Sequence, residues 1–295
     1  MTTSSYLIID AGGTFLKSAV LAADGEVFRD SFFSVPASSE GSMEDVEAAF
    51  RACCEDAKRF CAGRGLSFDG IGVSMPGPFD YPKGVSLMQH KYRCLYRQDI
   101  AALVRRAAGA DASLPVWFVH DVVCLLAGEM QFGSARGCAD VAVITLGTGL
   151  GFCCAVGGEI QRTETGSPKY SLYNRPFRDG VLEDYVSKRG FLRMYGELGG
   201  SVTPSLTVKD IADRARAGDE TSLRTFREVA SILGEAVAPL LRDFGTQVLL
   251  FGGQISRSLP LMEGVLQEKL SGLRIAQVED IYLSAARGVL ASKNI

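Results

Sequence analysis

An aspartate stands where one apolar run gives way to another. Residues 116–129 read VWFVHDVVCLLAGE, and Asp121 is the only acid between Val116-Trp117-Phe118-Val119 and Val122-Val123-Cys124-Leu125-Leu126. The first run has the β-branched and aromatic make-up of a buried strand, and Val122 to Met130 suits a helix. A carboxylate at such a junction has two uses: it caps the helix by accepting a free N–H, or it serves as a general base toward a bound hydroxyl. Three glycine turns offer complementary chemistry. Asp10-Ala11-Gly12-Gly13-Thr14, Leu146-Gly147-Thr148-Gly149 and Phe251-Gly252-Gly253 each end an apolar strand. Glycines there permit positive φ and let an anion approach bare N–H groups. Thr14 and Thr148 add hydroxyl donors, and Asp10 offers oxygen to Mg²⁺, directly or through water. None completes GxxxxGK[ST] or GxGxxG. Each alone reads as a tight turn; three at strand ends, in both halves of the chain, point to a nucleotide held between two domains.

The elements that must position these residues repeat. Leu7–Val27 (LIIDAGGTFLKSAVLAADGEV) and Val141–Ile160 (VAVITLGTGLGFCCAVGGEI) share an apolar strand, a Gly-Thr turn, a second apolar strand and a Gly-Glu turn. Gly13-Thr14 recurs 134 positions on as Gly147-Thr148, and Gly25-Glu26 recurs 133 positions on as Gly158-Glu159. Two hairpins of one design imply two related α/β domains. Helical periodicity is expected over 44–64, 99–108, 207–217, 222–244, 260–270 and 282–291, with strands at 71–75 and 247–251. The domains are expected at 1–118, joined by the C-terminal helix 282–295, and at 119–281.

Composition excludes several classes. The chain has 295 residues, 47% hydrophobic and 22% charged, enough apolar material for real cores. A net charge of −3 without a basic block favours neither nucleic acid nor an anionic membrane. Val141–Gly158 carries no charge over 18 positions, but its glycines mark two strands around a turn rather than a membrane span. The start lacks the basic region of a signal peptide. Eight cysteines without a CxxC pair fit a reducing cytoplasm, and two histidines, His90 and His120, exclude a histidine-rich metal site.

The stretches IIDAGGTFLKSAV, GVSMPGPFD, VHDVVCLLAGE, VAVITLGTGLG, GVLEDYVS and VLLFGGQIS, in that order, resemble the ROK family (repressor, open reading frame, kinase) of the actin/hexokinase superfamily. The resemblance implies two actin-like (ribonuclease H-like) α/β domains with a nucleotide and sugar cleft between them. It implies a sugar kinase using ATP and Mg²⁺, with Asp121 as the base that accepts the proton of a hexose hydroxyl. Asp10, Gly12, Gly13, Thr14, Lys17, Gly147, Thr148, Gly149, Gly252 and Gly253 would hold the nucleotide, and a homodimer is implied.

The sequence also departs from the family. Residues 159–183 contain neither the histidine nor the cysteines of the family's zinc site, so no zinc is expected. Glu183 matches a sugar-binding glutamate, or is simply a carboxylate at a helix start. Glu164 stands near the position of an earlier one. His90 and Lys91 are the nearest polar candidates on the sugar-side loop, and His120 replaces the usual asparagine beside the base. The first hairpin begins too early for a preceding helix-turn-helix, which argues against the repressor branch. The alternative reading is a non-catalytic sugar or nucleotide sensor on the same fold; a third is an ATPase-type activator that turns over only with a protein partner.

Overall fold

Ten elements in the first part of the chain follow from capping and burial patterns. The computed structural model describes residues 4–294. Strands β1 (Ser5–Ala11), β2 (Phe15–Ala22) and β3 (Phe33–Pro36) lead to helix α1 (Met43–Arg64), then β4 (Ile71–Met75) and a small hairpin, β5 (Phe79–Asp80) and β6 (Val85–Ser86). Helix α2 (Ile100–Ala107), β7 (Val116–His120) and α3 (Asp121–Phe132) complete the set. Helix α1 shows why the local sequence suffices. Ser42 and Asp45 form a capping box, Val46, Ala49, Phe50, Cys53, Cys54, Ala57 and Cys61 recur on one buried face, and Gly65 ends the helix at φ 65°. Burial raises the Cys53 and Cys54 thiols to about 11 and about 12, so these cysteines act as small apolar groups.

The sheet order is β3-β2-β1-β4-β7, with β2 antiparallel to β1 while β4 and β7 run parallel to it. The later part of the chain builds the same order. Strands β8 (Val141–Leu146), β9 (Leu150–Val156) and β10 (Glu159–Ile160) are followed by a minor hairpin, β11 (Pro176–Phe177) and β12 (Gly180–Val181). Helices α4 (Glu183–Val186), α5 (Lys188–Glu197), α6 (Val208–Arg216) and α7 (Glu220–Asp243) come next, then β13 (Val248–Gly252), α8 (Glu263–Lys269) and β14 (Arg274–Gln277). The second sheet runs β10-β9-β8-β13-β14. In each unit an antiparallel hairpin adjoins two parallel strands, so the repeat seen in the sequence is a repeat of topology. The helix expected over 260–270 is split: a 3₁₀ stretch, Gln254–Leu261, contains Pro260, whose missing N–H cannot sustain an α-helical ladder.

Two units result, each with its own hydrophobic core. One comprises the chain up to Gly133, Arg162–Pro168, and Tyr282 onward; the other comprises Ser134–Gln161 and Lys169–Ile281. The first unit runs past residue 118 because α3 packs on the C-terminal helix, Ile281–Ala291. A methyl group on Gly128 would lie 1.8 Å from the Ser284 carbonyl oxygen, and one on Gly288 would lie 1.6 Å from that of Cys124. The helices thus cross backbone against backbone. Beside the crossing, Glu129, 3% exposed, accepts a hydrogen bond from the Ser284 hydroxyl at 2.5 Å. Among the described residues no helix is long and apolar enough to cross a membrane.

The crossing can be tested directly. Alanine gains about 1 kcal/mol over glycine in a helix, but the displaced backbones cost more. Gly128→Ala and Gly288→Ala are expected to destabilise the protein by roughly 3 kcal/mol, lowering Tm by roughly 6–12 °C in thermal unfolding followed by circular dichroism.

Candidate active site

In the first unit the parallel strands β1, β4 and β7 end together at Ala11, Met75 and His120, where open α/β sheets present their ligand sites. Cross-strand register sets Lys17, Asp10 and Ser74 side by side on β2, β1 and β4. The Asp10 carboxyl is pushed up to about 6, first by burial and then by the negative charge of Asp121; the Lys17 ammonium and a hydrogen bond with Ser74 pull it partway back.

Asp121 is the first residue of α3, and His120 occupies the cap position that the sequence allowed Asp121 itself. The Val122 N–H lies 2.7 Å from Asp121 Oδ1 and 3.2 Å from His120 Nδ1. Nδ1 is 2.7 Å from the same Oδ1, so a proton on Nδ1 is donated to the carboxylate. Oδ1 therefore takes two donors, and Oδ2 has no hydrogen-bond partner among the described residues. Crowding by surrounding protein raises the Asp121 carboxyl, but the His120 charge and hydrogen bond, the Val122 N–H and the Lys91 charge outweigh it and hold the group below the usual carboxylate range. Its position at the positive end of α3 acts in the same direction. The side chain is 56% exposed, so apolar walls do not seal it from water in this structure.

His120 is held in turn. Tyr81 packs against its imidazole with the rings tilted 54° and their centroids 5.7 Å apart, and the Tyr81 hydroxyl donates to the Met75 carbonyl. Cys124, one turn into α3, contacts the Ser74 hydroxyl at 3.6 Å and the Asp121 carbonyl at 2.9 Å. Ser74 and Cys124 stand inside the stretches GVSMPGPFD and VHDVVCLLAGE but, like Tyr81 just beyond the first, were not singled out, because residue type alone does not show what they touch.

The first glycine turn is braced through its carbonyls. The Tyr92 hydroxyl donates to the Gly12 carbonyl at 2.7 Å and the Ser39 hydroxyl to the Gly13 carbonyl at 2.5 Å. In a trans peptide this turns the following N–H groups, those of Gly13 and Thr14, the opposite way, and neither has an acceptor among the described residues. Neither glycine has positive φ, contrary to the expectation from sequence. A methyl on Gly12 would press on the Phe15 carbonyl at 3.0 Å, whereas one on Gly13 would meet only the Lys91 side chain, at 3.5 Å and beyond.

The second unit carries the other two turns side by side. Gly252 pairs with Thr145 in register, and a side chain on Gly253, at φ 85°, would strike the Leu146 backbone at 2.3 Å. Gly147 has ordinary φ and open space around it, so nothing in the protein itself demands glycine there. At Gly149 a methyl would lie 2.8 Å from Glu183 Oε2, so the carboxylate would have to shift. That same oxygen accepts the Leu150 N–H at 2.9 Å, while Oε1 pairs with Arg189 at 2.8 Å. Glu183 thus braces the turn through Oε2 and is itself held by Arg189 through Oε1.

The structure brings Asp10, Gly12, Gly13, Thr14, Lys17, Lys91, His120 and Asp121 into one unit, and Gly147, Thr148, Gly149, Glu183, Gly252 and Gly253 into the other. His90 is exposed, and Glu164 is exposed on the segment whose Thr165 carbonyl accepts the Tyr81 N–H. Neither makes a hydrogen bond or ion pair among the described residues. Nor do three His, Cys, Asp or Glu side chains converge there as a metal-binding group.

Two sheets of one order, each with a glycine turn closing its hairpin, define a two-domain actin-like fold. The chain belongs to the ROK family, which it matches over residues 6–169 and 176–286. It is 26% identical to the glucokinase of Thermotoga maritima over 287 residues, covering 89% of this chain and 86% of that one. It is 27% identical to a beta-glucoside kinase of Klebsiella pneumoniae over 278 residues, covering 92% and 88%. A solved ROK glucokinase of Streptomyces griseus, in complex with glucose and AMPPNP, superposes with a TM-score of 0.75 at 23% identity, covering 97% of each chain.

The charge on Asp10 carries a signed consequence for stability. Folding raises its carboxyl from 3.8 to about 6, so its stabilising contribution is complete below pH 3.8 and is lost as pH rises through 6. Asp10→Asn is therefore expected to stabilise the metal-free protein by up to about 3 kcal/mol above pH 7 and by almost nothing near pH 3.8. Urea unfolding of both proteins in EDTA at several pH values measures this directly; a constant difference across the range would refute the assignment.

Proposed function

We propose that this protein phosphorylates a hexose or hexose derivative with ATP, and that Asp121 is its general base. The observation that carries the reading is the asymmetry of the Asp121 carboxylate. Oδ1 is occupied by His120 and the Val122 N–H, the group is held ionised, the side chain is half-exposed, and Oδ2 has no partner among the described residues. As the sugar oxygen bonds to the γ-phosphorus, its proton passes to Oδ2 and the bond to the bridging oxygen of the departing ADP breaks. A hydroxyl becomes strongly acidic only as that bond forms, so a carboxylate of low basicity suffices in a loose transition state. His120 fixes the orientation of the base where the family places an asparagine.

The N–H groups of Gly13 and Thr14 and those of Thr148 and Gly149, none with an acceptor among the described residues, suit phosphate oxygens. Asp10 fits Mg²⁺: its carboxylate is destabilised by burial and by Asp121, and a divalent cation would relieve both. When bound, the ion neutralises phosphate charge. The glucokinase and beta-glucoside kinase relatives support glucose or a glucoside as acceptor, and a cytoplasmic homodimer belongs to the same reading.

The test is ADP release from MgATP across hexoses, N-acetylhexosamines and β-glucosides, with Asp121→Asn in parallel. Sugar-dependent turnover that falls by about 10²–10⁴-fold in the variant, with Tm unchanged, is the expected result. Saturable binding of sugar and nucleotide without turnover in the wild type would instead favour a sensor.

A further inference from the structure

We propose that Lys91 is a catalytic residue that meets the phosphoryl group in transfer, and is not a sugar contact. The inference rests on the kinase reading for its reaction and on the first unit alone for its geometry. A methyl group on Gly13 would lie 3.5 Å from Lys91 Cε and 3.6 Å from both Cδ and Nζ, so the side chain lies along the face of the glycine turn. On that turn the carbonyls of Gly12 and Gly13 are tied back by Tyr92 and Ser39, and the N–H groups of Gly13 and Thr14 have no protein acceptor. An ammonium beside two unpaired amides is an arrangement for an anion with several oxygens.

Tyr92 explains how Lys91 comes to be there. It has φ 48° and ψ 42°, a left-handed conformation that is an outlier for an aromatic residue. The Tyr92 ring is completely buried and its hydroxyl reaches the Gly12 carbonyl, while its N–H donates to the Ser39 carbonyl at 2.9 Å. One strained residue thus ties its segment to the turn through both side chain and backbone, and the preceding Lys91 is left exposed against Gly13. No carboxylate lies within ion-pairing distance of Lys91 among the described residues. Its charge is nevertheless close enough to Asp121 to help hold that carboxyl ionised. A lysine lying along the glycine turn, its charge felt by the proton acceptor, would contact an equatorial oxygen of the phosphoryl group. There it offsets the charge that develops as the oxygen–phosphorus bond to the sugar forms and the bond to ADP breaks.

The experiment compares wild type, Lys91→Met and Lys91→Arg for sugar-dependent kinetics, and for binding of AMPPNP and AMP with magnesium. Lys91→Met is expected to lower kcat by about 10²–10³-fold with the sugar KM changed by less than about threefold. AMPPNP binding should weaken by about tenfold while AMP binding is unchanged, and the arginine variant should restore most of the loss. The acid limb of the pH profile should move upward in Lys91→Met, because Asp121 loses a nearby cation. A raised sugar KM at unchanged kcat would make Lys91 a sugar contact and overturn the proposal, as would unaltered AMPPNP affinity. A wild type without sugar-dependent turnover would remove the kinase reading instead, and the AMPPNP–AMP comparison would still decide whether Lys91 meets phosphate.

Discussion

Two helix backbones in contact at Gly128 and Gly288 hold the first unit together as one body. The chain leaves this unit after Gly133 and returns for good at Tyr282, so its two ends are far apart in sequence and must be joined by packing. A backbone-to-backbone crossing does this with little tolerance, because any side chain at either glycine meets a carbonyl oxygen. The buried Glu129–Ser284 hydrogen bond fixes rotation about the crossing. Asp121 opens the helix that is clamped this way, and its position relative to β1 and β4 is set by the clamp. Gly128-Glu129, the end of the stretch VHDVVCLLAGE, is therefore a packing device seven and eight residues beyond Asp121.

The same unit separates the behaviour of two neighbouring carboxylates. Asp10 and Asp121 repel one another, yet one is driven up and the other down. Environment decides which. Asp121 receives two hydrogen bonds at one oxygen, a helix N-terminus and an imidazole at hydrogen-bond distance. Asp10 is offset only by an exposed lysine, screened by water, and by one serine. Two acids pushed apart in this way suit different tasks: the one held ionised is free to accept a proton, and the other gains from a cation beside it.

Much of this was legible in the residues. Strands and most helices followed from periodicity, with the capping boxes at Ser42 and Thr207 found only in the structure, and the hairpin repeat followed from two Gly-Thr turns. Helix α5 was not legible because Gly190 and Gly196 lower its helical propensity. Gly190 is needed there since a side chain would strike the Tyr185 backbone at 2.2 Å. Within the site, sequence marked Asp121, Asp10 and the turns but not their supports. Tyr92 and Ser39 act on Gly12 and Gly13 from 80 and 26 positions away, a relation no local pattern encodes. Glu183 was visible as a residue but not as a brace, because its role depends on where the Leu150 N–H falls.

The two repeats share a frame but not a chemistry. In the first sheet the row across β2, β1 and β4 is Lys17, Asp10 and Ser74; the matching row across β9, β8 and β13 is Phe152, Ile144 and Phe251. Polar side chains line one copy, whereas the three residues of the other are buried and apolar. A second carboxylate at position 144 would place another unpaired charge in a hydrophobic core, at a cost of several kcal/mol. At its strand ends the second unit therefore presents the N–H groups of Thr148 and Gly149, without acceptors among the described residues, while Asp10, Asp121 and Lys91 all stand in the first. Two sheets of one topology thus carry different side chains in the same row, and the ionisable row stands in the unit where Gly128 and Gly288 bring two helix backbones into contact.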